Sequence, residues 1–263
     1  MKGVASLFNN PTIEKLRDMN LKVMADMLTE TRTEILNLSF EDRLGLMVEN
    51  QWLAKKNVKT QTLLRAAKLR INACLEDIDY SLERKIDKRT IATLSTCNYI
   101  VQNLNIIITG RTGSGKSYLA CAFGDNACRK GYSVKYYRLP ELLIEMQDAI
   151  IGQRFLKFIS QLQRFKLLIL DDIDLKSYTV EESRALLEVA ESRCNKASTI
   201  MVGQTPHKEW YDLFPDAITA DAFMDRMIHS AYVMPLDSQK SMRQVIAAKK
   251  IESIAGAGCG HSG

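Results

Sequence analysis

Asn105-Ile106-Ile107-Ile108-Thr109-Gly110-Arg111-Thr112-Gly113-Ser114-Gly115-Lys116-Ser117 joins an apolar, β-branched run to a glycine-rich loop. A strand that is apolar on both faces belongs inside a parallel sheet, with helices covering both sides. The eight residues from Gly110 fit the spacing G-x-x-x-x-G-K-[ST]. Glycines so placed let the backbone curl until successive N–H groups converge on an anion. Ser117 to Lys130 then reads as a helix stopped by Gly131, which sets the loop at the positive end of a helix dipole. Strand, loop and helix in this order predict a cradle for nucleotide phosphates.

Further along, short apolar runs alternate with helical patterns. Ser133 to Tyr137, Lys166 to Leu170 and Thr199 to Val202 read as strands. Pro140 to Ile151, with proline in its first turn, and Val180 to Cys194 read as helices. This alternation predicts an α/β fold with a doubly wound parallel sheet.

The chemistry gathers where strands end. Gly110, Arg111, Thr112, Gly113, Ser114, Gly115, Lys116, Ser117 and the adjoining Tyr118 form the expected ATP-binding set. Lys116 is expected on the β- and γ-phosphates, and the Ser117 hydroxyl on Mg2+. The strand ending Leu168-Ile169-Leu170-Asp171-Asp172 supplies two carboxylates at the edge where α/β sheets bind ligands. Asp171 is expected to hold the metal through its water shell, and Asp172 to polarise an attacking water. Gln204, just past the Thr199 strand, is placed to orient that water or simply to begin a loop. Arg226 lies in a short amphipathic helix, where pairing with Asp225 or Asp221 is the plain alternative to a catalytic task. Arg243 either reaches the γ-phosphate or rests as a solvated helix charge.

Before residue 90 the pattern is helical. Ile13, Leu16, Met19 and Val23 recur at helical spacing after Pro11, and Ser39-Phe40-Glu41-Asp42 resembles a capping box opening a second helix. The expected organisation is a small all-helical domain over 1–90, an ATPase domain over 91–254 and a flexible tail over 255–263. From Gln51 to Ala73 there are six basic residues, Lys55, Lys56, Lys59, Arg65, Lys68 and Arg70, and no acidic one. Such a stretch either neutralises phosphates along DNA or forms a solvated face whose acidic partners lie elsewhere. Trp52 is expected in the core rather than as a base-stacking platform. The chain has a net charge of +5, which permits a nucleic-acid partner without demanding one. Its six cysteines show no C-x-x-C spacing and read as free thiols. No apolar run suggests a signal peptide or a membrane span, so the expected location is the cytoplasm.

Taken together, these residues resemble the IstB-type ATP-binding proteins of insertion sequences, relatives of the DnaC helicase loaders in the AAA+ class. The resemblance is carried by Ile13–Met27, Leu38-Ser39-Phe40-Glu41-Asp42-Arg43-Leu44, Leu63–Arg70, Leu75–Tyr80, the phosphate loop, Leu168–Asp172, Ser198-Thr199-Ile200, Glu209-Trp210-Tyr211, Ala220–His229 and Ser241-Met242-Arg243. It implies an AAA+ P-loop NTPase in which Gln204 is the sensor 1 amide, Arg226 an arginine finger given to a neighbouring subunit, and Arg243 sensor 2. It further implies a homo-oligomer that assembles with ATP on duplex DNA and helps a cognate transposase in target selection and strand transfer. Two departures stand out. The family usually has a serine where this chain has Gly203, and an acidic residue where it has Lys240.

Two other functions share parts of this pattern. A helicase loader of the DnaC type would have the same ATPase core and differ in what its N-terminal helices grip. A small-molecule kinase would need an acceptor pocket and a lid with catalytic arginines; the paired aspartates and the basic N-terminal half argue against it.

Overall fold

The computed structural model describes residues 10–29, 38–80, 86–229 and 231–236. Arg243, Lys240, Cys259 and the expected tail lie outside the described residues. The chain divides into two compact units, residues 1–62 and 63–263.

In the first unit, α1 (Asn10–Asp18) and α2 (Lys22–Thr29) replace the single opening helix expected from the spacing. Asn20 takes a left-handed conformation, φ 58°. The Asn20 N–H then donates to Arg17 and the Leu21 N–H to Leu16, a Schellman closure that ends α1 before Val23. Helix α3 (Phe40–Ala67) starts as the capping pattern predicts: the Ser39 hydroxyl accepts from the Asp42 N–H at 3.1 Å. The Gln51 side chain is buried and its oxygen accepts from the N–H groups of Val23 and Met24, two of the unpaired donors at the start of α2. Trp52 follows one residue later, about 100° round the helix, and is 54% exposed. The expectation of a core tryptophan is overturned, because the side of α3 that meets α2 is taken by Gln51.

The second unit is built on a five-stranded sheet in the order β2-β3-β4-β1-β5, every pairing parallel. Its strands are β1 (Asn105–Gly110), β2 (Val134–Arg138), β3 (Leu167–Asp171), β4 (Ser198–Gly203) and β5 (Ala231–Leu236). The doubly wound reading holds residue by residue. Ile106 and Ile108 face one core with Leu119, Ala120 and Phe123, while Ile107 faces a second core with Leu142, Met146 and Leu186. Helices α6 (Lys116–Arg129) and α7 (Leu139–Ile151) cover opposite faces, and α9 (Val180–Arg193) opens with a full capping box between Thr179 and Glu182.

Four shorter helical pieces escaped the sequence reading: α4 (Lys88–Ser95), α5 (Asn98–Val101), α8 (Phe155–Gln163) and the 3-10 turn His207–Leu213. Strand β5 escaped it as well. It carries Pro235 and, among the described residues, pairs only with β1, and an edge strand is where a sheet accommodates proline. Helix α10 (Ala217–Ile228) completes the second face.

The expected boundary near residue 90 falls inside the second unit. Helix α3 ends at Ala67, where Lys68 turns left-handed at φ 51°. Residues beyond it lie under the sheet: Ala73, Leu75 and Ile78 are buried in the first core, with Leu69 and Ile71 packed on them. A Cβ on Gly124 of α6 would come within 2.9 Å of both Leu69 and Ile169, so this close approach depends on glycine. The five described cysteines are free thiols. Among the described residues no helix is long and apolar enough to cross a membrane.

Candidate functional site: a phosphate loop facing two aspartates

The phosphate loop leaves β1 at Gly110, the residue in register with Leu236 of β5. A Cβ at Gly110 would sit 2.2 Å from the Leu236 carbonyl oxygen, so the loop's first position admits only glycine. Gly113 and Gly115 are left-handed at φ 84° and 95°, and Gly115 caps α6. Lys116 is buried, and its ammonium donates to the carbonyls of Gly110 and Arg111, the latter at 2.9 Å. The Ser114 hydroxyl is buried without a hydrogen-bond partner. An orphan donor inside a ring of inward-turned backbone fits a phosphate oxygen, and the α6 N-terminus adds its positive potential.

Asp171 and Asp172 lie at the C-terminal end of β3, two strands from β1 and at the same edge of the parallel sheet as the loop. Asp171 is 1% exposed. Its two oxygens accept from the Tyr136 hydroxyl at 2.7 Å and from the Asp172 N–H at 2.9 Å, which fixes the carboxylate's direction. Burial, and then the bond to Asp171, push the Tyr136 phenol well above its usual range, so it stays a donor. Among the described residues no group of three His, Cys, Asp or Glu side chains could hold a metal by itself. Ser117 and Asp171 with phosphate oxygens and water form the kind of sparse set that Mg2+ accepts.

Asp172 stands in a left-handed conformation, φ 60°, and faces two arginines. Arg138 Nε, from the end of β2, donates to its Oδ2 at 2.8 Å, and Arg70 Nη1 lies at 3.8 Å. Arg70, expected on a basic helical stripe, lies beyond the end of α3 at Ala67, and the chain turns its guanidinium toward the Asp172 carboxylate. Lys55, Lys56 and Lys59 remain exposed on α3 in the first unit; Arg65 and Lys68 are exposed in the second.

Gln204 also comes to the loop: its side-chain oxygen accepts from the Thr112 hydroxyl at 2.7 Å. Asp174, which no sequence signal marked, holds it there. One Asp174 oxygen accepts from the N–H groups of Gln204 and Thr205 and from the Thr205 hydroxyl, at 2.6 to 2.7 Å. Gly203 has a packing reason. A Cβ there would lie 2.7 Å from the buried Trp210 ring and 3.1 Å from Asp174, so serine has no room here. The Tyr118 hydroxyl donates to the Cys74 carbonyl at 3.3 Å, toward the segment before the sheet.

Arg226 is not brought to this loop. It pairs with Glu191 of α9 at 2.5 Å and donates to the Ala222 carbonyl at 2.7 Å, rather than pairing with Asp225 or Asp221. Its neighbour Met227 accepts from the Asn105 side chain at the first residue of β1, whereas the loop follows the last. At about 3.3 Å per residue those strand ends lie roughly 17 Å apart.

Comparisons with known proteins agree with the motif set. The family profile described as IstB-like ATP binding protein matches residues 14–249. The insertion sequence ATP-binding protein y4pL of Sinorhizobium fredii is 36% identical over 236 residues, covering 89% of this chain and 96% of its own length. The IS1162 ATP-binding protein of Pseudomonas fluorescens is 38% identical over 74% of this chain and 86% of its own length. Among solved structures, DnaI superposes with a TM-score of 0.54 at 18% identity, over 67% of this chain and 93% of that one. AMPPCP-bound DnaA from Aquifex aeolicus gives 0.54 at 18% identity, over 71% of this chain and 56% of that one. These two likenesses establish the AAA+ P-loop fold.

Proposed function

The chain belongs to the IstB-like ATP binding protein family, and on that premise we propose that it is a magnesium-dependent ATPase that assembles on duplex DNA and assists the transposase of an insertion sequence in target selection and strand transfer. ATP binding is the family's own property. The further steps rest chiefly on one observation. Loop, carboxylates and Gln204 gather at one end of the sheet, while Arg226 sits at the other, beyond reach of its own loop.

In this reading Lys116 leaves the loop carbonyls for the β- and γ-phosphates, and the Ser114 hydroxyl gains its missing partner. Ser117 and Asp171 hold Mg2+, which neutralises charge on the phosphates when bound. Asp172 accepts a proton from the attacking water, which Gln204 orients. Arg138 and Arg70 occupy the Oδ2 atom of Asp172 that a water would approach, so turnover requires that contact to loosen. Asp172→Asn should therefore leave ATP affinity within about twofold and lower kcat by about 10²- to 10⁴-fold. Equilibrium nucleotide binding beside single-turnover hydrolysis would decide this, and an unchanged hydrolysis rate would remove Asp172 from the mechanism.

A neighbouring subunit supplies Arg226 to complete the site, which makes hydrolysis a property of the assembly. DNA promotes assembly by gathering subunits along its backbone. Turnover at low salt should accordingly rise about tenfold or more with duplex DNA and lose that rise steeply as salt increases. Light scattering with ATP, with and without DNA, follows the assembly directly. A rate indifferent to duplex DNA at low salt removes the DNA step. Capture of a replicative helicase, and not of a transposase, would replace this function with a helicase loader's.

A further inference from the structure

We propose that Trp52 and the lysines around it on α3 form a nucleic-acid contact, with the indole laid against a base or sugar face while Lys55, Lys56 and Lys59 meet the phosphates. The inference rests on the DNA reading above and deepens it.

Residues 52, 55, 56 and 59 follow helical spacing and share one face. That face lies about 100° from Gln51, which is buried against α2, so the first unit leaves it uncovered. Trp52 is 54% exposed and Lys56 Nζ lies 4.9 Å from its ring centroid. The ring is thus held out in water under a cation. A large aromatic left there without packing forfeits burial that a core site would reward, by about 2 kcal/mol or more. From Trp52 to Lys59 the helix rises about 10 Å, the span of roughly three phosphates along one DNA strand. Glu41 and Glu49 also fall on this face, both toward the N-terminus, which confines the contact to the turns from Trp52 onward.

The chemistry favours nucleic acid over protein. Lysine is depleted from the cores of protein interfaces, and this face carries three, of which Lys56 lies over the indole. Basic side chains beside an exposed aromatic are the usual means of holding a single nucleic-acid strand while stacking on its bases; against an intact duplex, whose bases are already stacked, the indole meets the sugar face.

The chain has two tryptophans, and the other, Trp210, is buried. Both indoles emit, but only Trp52 is open to a bound ligand, and Trp52→Phe isolates its share of the emission. Titrating duplex DNA at low salt should quench the wild-type emission, and Trp52→Phe should lose that quenching while retaining most of the affinity by anisotropy. Trp52→Ala should weaken binding about tenfold with an unchanged thermal midpoint, since the side chain is exposed. If the triple variant Lys55→Ala, Lys56→Ala, Lys59→Ala loses affinity while Trp52→Ala keeps it, the indole contact is wrong. If Trp52→Ala binds DNA normally but no longer stimulates the transposase, the face docks protein, and the proposal is overturned. A wild-type chain that binds no DNA at all would overturn the parent reading instead.

Discussion

Lys116→Ala should weaken ATP binding by at least about 100-fold and abolish measurable turnover. The ammonium now spans the carbonyls of Gly110 and Arg111 at the mouth of the loop. With nucleotide bound, the same group is proposed to meet oxygens of two phosphates. Charge-assisted hydrogen bonds contribute about 1.5 to 3 kcal/mol each, so two amount to 3 kcal/mol or more, and 2.7 kcal/mol is already a factor of about 100. Alanine cannot recover this from the backbone N–H groups, because the loop geometry set by Gly110, Gly113 and Gly115 is unchanged. The readout is thermal denaturation with and without ATP. At ATP about 100 times the wild-type Kd, the nucleotide stabilises the wild type by about 2.7 kcal/mol. The variant, with Kd raised to the ATP concentration, gains about 0.4 kcal/mol by the same relation. Its own midpoint without nucleotide is the baseline, since the substitution also removes the bonds to the Gly110 and Arg111 carbonyls. An ATP-induced shift that survives in Lys116→Ala would mean that the loop's N–H groups carry the binding alone.

The parts of this site that could be read from the sequence are those whose backbone admits few alternatives. At Gly110 the neighbouring strand leaves no room for a side chain, and such a constraint is visible as spacing. A buried parallel strand has no polar face, so β1, β3 and β4 announced themselves as unbroken apolar runs. Strand β5 did not, because an edge strand with Pro235 looks like a loop until its partner is known. Asp174 was equally silent. Its three hydrogen bonds to residues 204 and 205 exist only once the ends of β3 and β4 are side by side. The helix was read through Arg70 for a local reason. Left-handed Lys68 ends α3 without the glycine that usually marks such a stop, so a continuous basic helix was expected where the chain turns toward Asp172. Trp52 was placed inside on residue type alone, and the burial of Gln51 put it outside.

Arg226→Ala should lower turnover by about 10³-fold while leaving ATP affinity intact, and mixing it with Lys116→Ala should restore activity. Arginine fingers contribute about 10³- to 10⁵-fold through charge developing on the transferred phosphoryl group, which ground-state binding does not sense. The substitution is structurally mild. Arg226 is 27% exposed and Glu191 48%, and a pair so open to water adds little to stability. The mixing follows from topology. Arg226 stands by the first residue of β1 and the loop follows the last, so in the proposed role one subunit's arginine serves another subunit's loop. A Lys116→Ala subunit has a dead loop and an intact finger; an Arg226→Ala subunit has the reverse. In a randomly mixed assembly half the loops and half the fingers are intact, so about a quarter of interfaces carry both. The equimolar mixture should therefore reach up to about a quarter of wild-type turnover, although each parent is inactive alone. The yield should follow the product of the two subunit fractions as the ratio is varied, peaking at equal amounts. A mixture no more active than its parents would show that Arg226 does not cross between subunits, and the ion pair with Glu191 would then be the whole of its role.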